Sequence, residues 1–230
     1  MQYEKMKRDA MLVIENVGSS HAPQVLTQLL RLGQMAGGFL TIRPEDGEGT
    51  EVRQIGSEKL TVLREFIDDF PKDKKLVIFC RFLAEIDAIM KMLKSMKITA
   101  ESLTGATKER GKLIDRFQCQ DNPRILVAQM AAGGLGIDLW RADTEVFFSY
   151  GYSFADYDQA RARVHRVGQK NNVTYVHLVA KDTVDEAIID ALERKGDVAK
   201  AVVDKILSTD MYDEEKGTMM VKYRKKEGKT

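Results

Sequence analysis

Two arginines set three residues apart, Arg163 and Arg166, are the side chains of this sequence best suited to chemistry. They lie in the stretch QARARVHRVGQ at residues 159–169, where a helix is expected over 155–166. Residues i and i+3 are neighbours on a helix surface, so both guanidiniums can address one target. A guanidinium is planar, permanently charged and carries a fixed fork of donors that matches phosphate oxygens. Two such groups aimed at one spot suit a polyphosphate better than a protein core. A solvated helix face is the bland alternative, and Arg161 and Lys170 fit it better than the pair does. Gln159 four residues ahead of Arg163, His165 between the arginines, and the closing Gly168-Gln169 tilt the balance toward a site.

A glycine-rich turn, AAGGLGIDL at residues 131–139, precedes the arginines and directly follows the apolar run RILVA. Glycines let the backbone take φ > 0 and come close to a ligand. Exposed amides at Gly133, Gly134 and Gly136 can hold phosphate or ribose oxygens. A tight turn needed only for packing is the competing reading. Asp138 either caps a helix or orders the neighbouring arginines. Trp140 fits a packing anchor better than a base-stacking platform. His21, His165 and His177 form no metal constellation, so no metal ligands are expected.

The elements that must position these groups alternate along the chain. Residues 1–16 are mixed-charge and expected to be helical. An amphipathic helix over 23–35 stops at Gly37-Gly38, and RPEDGEGT at 43–50 is a charged turn. Ser57 is an N-cap candidate for a helix in which Leu60, Leu63, Phe66, Ile67 and Phe70 recur at helical spacing before Pro71 ends it. Strands are then expected at 76–80, 98–103, 124–128, 145–148 and 173–179. Helical stripes separate them, one carrying Phe82, Ile86, Ile89 and Leu93 and another Leu113, Ile114 and Phe117. Thr183 and Glu186 have capping-box spacing ahead of a last helix with Val184, Ile188, Ala191 and Leu192. Apolar strands separated by helices imply an α/β fold around a parallel sheet with right-handed crossovers. In such a sheet ligands bind beside loops leaving the carboxyl ends of strands. That rule gathers residues 80–81, 103–105, 129–139 and 149–153 on one edge.

Composition adds limits rather than a function. The 230 residues carry 36 basic and 35 acidic side chains, so no global basic footprint marks a nucleic-acid binder and any such surface must be local. Cys80 ends the run KLVIFC as a small core residue, Cys119 lies far from it, and both suit a reducing compartment. No segment resembles a signal peptide or a membrane span, so the expected setting is the cytoplasm and no membrane partner is expected. Residues from about 210 onward, DEEKGTMMVKYRKKEGKT among them, lack periodicity and are expected as a flexible charged tail.

Several of these blocks together resemble the second RecA-like lobe of superfamily-two helicases, and among them the SWI/SNF-type DNA translocases. KLVIFCRF is similar to that family's fourth motif, and SLTGATKER to its strand-turn-helix segment ending in an arginine. RILVAQMAAGGLGIDLWRAD resembles the fifth motif and YDQARARVHRVGQ the sixth. LLRLGQMAGGFL resembles the helix connecting the two lobes, and TVDEAIIDALERK the helix after the sixth motif. The resemblance implies a RecA-like parallel sheet flanked by helices, with a helical connector over 1–56, the lobe over 57–209 and the tail over 210–230. By position it implies that Arg163 and Arg166 are arginine fingers reaching the γ-phosphate of ATP held by another lobe. Gln159 and Gln169 match the polar flanks of that motif, and Gly134, Gly136 and Asp138 the glycine turn that senses nucleotide and strand. Arg81, Thr104, Gly105 and Arg110 match the nucleic-acid-gripping segments. Gln129-Met130 stand where many relatives place a hydroxyl residue, and Tyr152-Ser153-Phe154 replace Trp-Asn-Pro. Without large insertions, the lobe resembles a compact bacterial or phage version, which implies a bacterial or phage-infected cell.

No G-x-x-x-x-G-K-[ST] occurs, so nothing here cradles the β- and γ-phosphates or seats Mg²⁺. The expectation is an inactive chain unless a nucleotide-binding first lobe joins it in cis or in trans, with Mg²⁺ bound mainly by that lobe. Duplex DNA is the expected track. A binding module that has lost the motor, and a lobe of an RNA helicase, are the two alternatives.

Overall fold

The computed structural model describes residues 22–42, 49–131, 136–195, 198 and 221–227. In chain order the elements are α1 (Ala22–Ala36), β1 (Phe39–Ile42), β2 (Glu51–Gln54), α2 (Glu58–Asp69), β3 (Leu76–Cys80), α3 (Leu83–Ser95), β4 (Ala100–Leu103), α4 (Arg110–Cys119), β5 (Ile125–Gln129), β6 (Thr144–Phe147), α5 (Phe154–Arg161), β7 (Thr174–Ala180), α6 (Val184–Glu193) and β8 (Val221–Glu227). They fall into two compact units, residues 1–58 with 180–221, and residues 59–179 with 222–230.

In the first unit α1 packs against α6, burying Leu29, Leu32, Ile188 and Leu192. The helix α1 stops where Gly38 takes φ +85°, a conformation that L side chains rarely adopt. A Cβ at Gly38 would also meet the Gly56 carbonyl oxygen at 2.7 Å, so only glycine fits this crossing. The hairpin β1–β2 was not expected, because the exposed sequence EVRQ has no apolar alternation to announce a strand. Thr183 caps α6 as its spacing suggests, accepting from the Asp185 amide. The carboxylate that reaches back is Asp185, which accepts the Ala180 amide at 3.0 Å. The expected helix over 1–16 and His21 lie outside the described residues.

In the second unit the sheet has the order β4-β5-β3-β6-β7-β8, and the pairs from β4 to β7 are all parallel. Side chains alternate across a strand, which splits the core into two layers. Ile78, Cys80, Ile125, Val127, Val146, Phe148, Val176 and Leu178 share one core with Leu63 and Ile67 of α2 and Ile86, Ile89 and Leu93 of α3. Residues one step out of phase make the other layer, an aromatic stack. Phe147 lies 5.5 Å from Phe79, 5.1 Å from His177 and 5.0 Å from Tyr157 of α5, ring centre to ring centre. Cys80 is fully buried, and burial pushes its thiol pKa well up. Strand β8 occupies residues 221–227, inside the stretch expected to be an aperiodic tail.

At the amino ends of the strands the chain closes on its own cations. Lys75 is buried, donates to the Pro123 carbonyl at 2.7 Å and lies over the Phe117 ring, and burial lowers its pKa. Arg124 donates to the carbonyls of Phe70 and Pro71, each at 2.9 Å. These contacts commit Lys75 and Arg124 to closing that edge.

The aromatic layer makes a direct prediction. Phe147→Ala removes the ring at its centre and should destabilise the fold by about 3–5 kcal/mol in urea unfolding; a loss under about 1 kcal/mol would contradict the packing.

Candidate functional site

The helix expected over 155–166 is shorter than expected, since α5 ends at Arg161 and Ala162 caps it. Beyond it the chain turns tightly, with the Arg163 amide donating to Ala160 O at 3.1 Å and the Arg166 amide to Val164 O at 3.0 Å. The Arg163 carbonyl accepts the Leu139 amide at 2.8 Å, which ties this turn to the segment leading into β6. Leu139 and Val164 are both fully buried and pin this crossing.

Breaking the helix sends the two arginines to different environments. Arg163 folds inward and is only 6% exposed, and its buried Nε has no hydrogen-bond partner among the described residues. Burial and then the Arg166 charge push its pKa down, and Asp138 opposes them. Arg166 projects outward and forms an ion pair with Asp138, both side chains staying about half exposed. Of the two readings of Asp138, the ordering of an arginine is therefore the one seen.

Around the pair, residues 138–142 and 162–169 are clamped together. Gly168 takes φ +106° and a Cβ there would meet the Trp140 ring at 3.7 Å, while Trp140 itself stays 39% exposed. Gln169 Nε2 donates to Trp140 O at 3.0 Å and Ala142 O at 2.7 Å, while its Oε1 accepts the Asn171 amide at 2.9 Å. Gln169 is thus committed to the backbone, and its role is to position the turn. Gln118 of α4 braces the other strand of the clamp, donating to Asp138 O at 2.8 Å and accepting the Arg141 amide at 3.0 Å.

A second surface lies at the carboxyl ends of the strands. The order places β5 on one side of β3 and β6 on the other, which makes the gap between β3 and β6 the switch point of the sheet. Arg81 occupies it. Its amide donates to Ser149 Oγ at 2.8 Å, its Nη1 donates to Tyr150 O at 3.3 Å, and its guanidinium lies over the rings of Phe82 and Tyr152. Ser149 in turn donates to the buried Glu85 carboxylate, which also accepts the Phe82 amide. Nearby loop residues Thr104 and Gly105 are held by Arg110, whose Nη2 donates to Thr104 O at 3.3 Å and Gly105 O at 2.8 Å. Gly105 stays exposed, with open space where a Cβ would stand. Arg110 shapes this loop through its donors.

Of the loops that the sequence gathers on one edge, the one carrying Asp138 joins a different group. Arg163, Arg166, Asp138 and Gln169 come together on the connections that lead into the amino ends of β6 and β7. Arg81, Thr104, Gly105 and Arg110 stand at the carboxyl ends of β3 and β4. Gln159 is exposed on α5 and makes no side-chain hydrogen bond among the described residues. Gly136 is exposed at φ +63°, and Gly133 and Gly134 lie outside the described residues. Sequence reasoning missed Gln118 and Glu85, which carry no signature of their own, and held Ser149 only as part of the 149–153 loop. It also passed over Glu145, whose signal was present: a lone carboxylate inside the apolar run TEVFF. Glu145 is fully buried on β6, and both its oxygens lack hydrogen-bond partners among the described residues. Burial raises its pKa well above the ordinary value, opposed by the Val164 amide and then by the Arg161 charge.

Residues 58–168 match the family described as helicase conserved C-terminal domain. An uncharacterized ATP-dependent helicase of Mycoplasma genitalium is 26% identical over 200 residues, covering 86% of this chain and 19% of that protein. The mouse chromatin-remodeling ATPase INO80 is 29% identical over 218 residues, covering 88% of this chain and 14% of that protein. The chain thus spans about a fifth or less of the length of these relatives. The Sulfolobus solfataricus SWI2/SNF2 ATPase core in complex with dsDNA superposes with a TM-score of 0.61 at 26% identity, covering 91% of this chain and 43% of that one. The C-terminal part of the Fun30 ATPase domain superposes with a TM-score of 0.56, also at 26% identity, covering 64% and 52%.

Two predictions follow from the clamp and the buried acid. Gln169→Ala removes three hydrogen bonds and should cost about 1–3 kcal/mol, with faster hydrogen exchange at the Asn171 amide; unchanged exchange there would contradict the clamp. For Glu145 the folded state holds its proton at pH values where the unfolded chain has released it. Wild-type stability should therefore fall as pH rises above the ordinary carboxyl value near 4.5. Glu145→Gln should lose that contribution, so chemical unfolding at pH 5 and pH 8 should show the variant gaining on the wild type at the higher pH. Parallel pH dependences would show that Glu145 is not held neutral.

Proposed function

From the premise that residues 58–168 belong to the helicase conserved C-terminal domain family of SWI/SNF-type ATP-dependent helicases, we propose that this chain is the second motor lobe of a DNA-dependent ATPase. Its partner is a first RecA-like lobe, in cis or in trans, that holds ATP and seats Mg²⁺. The observation that carries this reading is Arg166, a guanidinium left about half exposed on the arginine turn and held by a half-exposed Asp138, where a phosphate can reach it.

In this mechanism ATP binding draws the lobes together and Arg166 exchanges Asp138 for the γ-phosphate. The exchange is cheap, because an ion pair this exposed is worth about 0–1 kcal/mol. What a correctly placed arginine contributes is far larger, about 10³–10⁵ in rate for comparable phosphoryl transfers. Arg163 adds a second positive charge from within the protein, and Gln169 with Trp140 keeps the turn from recoiling. Hydrolysis removes the shared ligand and releases the lobes. At the carboxyl rim, Arg81 and the exposed Gly105 amide segment grip the phosphate backbone of DNA, so that alternating closure steps the motor along it. Cation–π contacts and hydrogen bonds fix Arg81 in advance, which lowers the ordering cost of that grip.

The Sulfolobus relative bound to dsDNA supports duplex DNA as the track. The Mycoplasma relatives support a compact bacterial version working in the cytoplasm of a bacterium or a phage-infected cell. No helix among the described residues is long and apolar enough to cross a membrane.

The test pairs this chain with the matching first lobe and measures ATP hydrolysis with duplex DNA, single-stranded DNA and RNA. Duplex DNA should stimulate most; equal stimulation by RNA would move the chain to the RNA helicases. Arg166→Ala should lower kcat by about 10³ or more, and undiminished hydrolysis would end the arginine-finger assignment. Arg81→Ala should weaken DNA binding across all sequences and reduce the salt slope by about one; an unchanged slope would remove Arg81 from the phosphate grip.

A further inference from the structure

We propose that Ser149 and the buried Glu85 are positioning residues for Arg81, opening the sheet between β3 and β6 and setting the arginine that meets a DNA phosphate there. The proposal rests on Arg81 being part of the phosphate grip and adds what holds it.

Strands β3 and β6 stay paired as far as Phe79 and Phe147, and the Phe148 amide still donates to Phe79 O at 2.9 Å. In an unbroken parallel ladder the next bond would run from the Arg81 amide to the Phe148 carbonyl. Two side chains take that bond apart. Phe148 O accepts Lys59 Nζ of α2 at 3.0 Å, and the Arg81 amide donates to Ser149 Oγ at 2.8 Å. Both backbone groups are satisfied while the strands part, so the separation costs no buried hydrogen bond. The gap at the switch point is held open by these side chains instead of fraying.

Glu85 fixes Ser149 in turn. A hydroxyl that accepts from Arg81 still has a proton to give, and Ser149 gives it to Glu85 Oε2. The same oxygen accepts the Phe82 amide at 3.1 Å, which caps α3 from its third position. A glutamate can cap a helix in this way from the surface. Here the carboxyl is fully buried, which is costly, and what burial adds to the cap is the reach to Ser149 on the neighbouring strand exit. One oxygen thus ties Phe82, the residue after Arg81, to Ser149, the residue before Tyr150. Tyr150 O is where Arg81 Nη1 rests, at 3.3 Å, and the Tyr152 ring lies 4.4 Å from the guanidinium. The backbone of Arg81 and the seat of its side chain are therefore set by the same two residues.

The experiment pairs this chain with its first lobe and measures binding to, and stimulation by, a duplex DNA oligonucleotide. Ser149→Ala leaves the Glu85–Phe82 cap in place and removes only the link to Arg81. It should raise the duplex concentration giving half-maximal stimulation about fivefold or more, while kcat at saturating duplex stays within about twofold. The salt slope of binding should fall by about one, as for a lost phosphate contact. Combined with Arg81→Ala, it should weaken binding no further, because the two groups act as a unit. Glu85→Leu should match the loss in Ser149→Ala. Glu85→Gln keeps an oxygen for both donors and should recover most of the duplex affinity. Wild-type affinity in Ser149→Ala, or a further loss on adding it to Arg81→Ala, would overturn the proposal. So would equal losses in Glu85→Leu and Glu85→Gln. Arg81→Ala alone tells the two failures apart. If it weakens binding while Ser149→Ala does not, positioning is wrong. If it binds duplex as tightly as wild type with the same salt slope, the phosphate grip is wrong and this proposal falls with it.

Discussion

The hydrogen bond from the Leu139 amide to the Arg163 carbonyl is the constraint on which the rest of the site depends. It ties the turn that follows α5 to the segment leading into β6. With Leu139 and Val164 buried on either side of it, the crossing cannot slide without exposing two apolar side chains. Everything that distinguishes the two arginines follows. One is drawn into the protein with Val164, and the other is left at the surface beside Asp138. Gln169, Trp140 and Gln118 then reinforce a geometry that this bond has already chosen.

Charge at the site is arranged economically. An exposed arginine–carboxylate pair contributes little to stability, so Asp138 can orient Arg166 without trapping it. The buried ionisable groups are the costly ones. Arg163 and Glu145 both sit where water cannot solvate them, one with its pKa pushed down and the other pushed up by the same cause. Protein interiors seldom tolerate such groups without a partner, and functional sites are where they concentrate.

The carboxyl rim is built on a different principle. There Glu85, Ser149, Phe82 and Tyr152 surround Arg81 with donors, acceptors and ring faces, and Arg110 sets the shape of the Thr104-Gly105 loop through three carbonyl contacts. A surface that must meet a repeating phosphate backbone benefits from cations held in register. The arginine turn instead benefits from one cation that can change partners. The two surfaces stand apart on one sheet, one at the carboxyl ends of β3 and β4 and the other on the connections into β6 and β7.

The alternation of apolar runs and helical stripes was enough to announce a parallel α/β sheet, and strands β3, β5 and β7 fall within a residue or so of where their apolar runs lie. Burial on both faces leaves few other ways to satisfy such segments. The residue types and the spacing of Arg163 and Arg166 were on view too. The environments of those arginines were not. Helical spacing put them on one face, whereas their separation is decided by Leu139 and Asp138, more than twenty residues earlier in the chain. The same holds for Gln169, whose amide is consumed by Trp140 and Ala142, and for the hairpin strand Glu51–Gln54, which has no apolar pattern to betray it. Local sequence determines which groups are available and which segments prefer helix or strand. Exposure, partner and reach belong to whatever packs across from them, and that is settled only when the chain has folded.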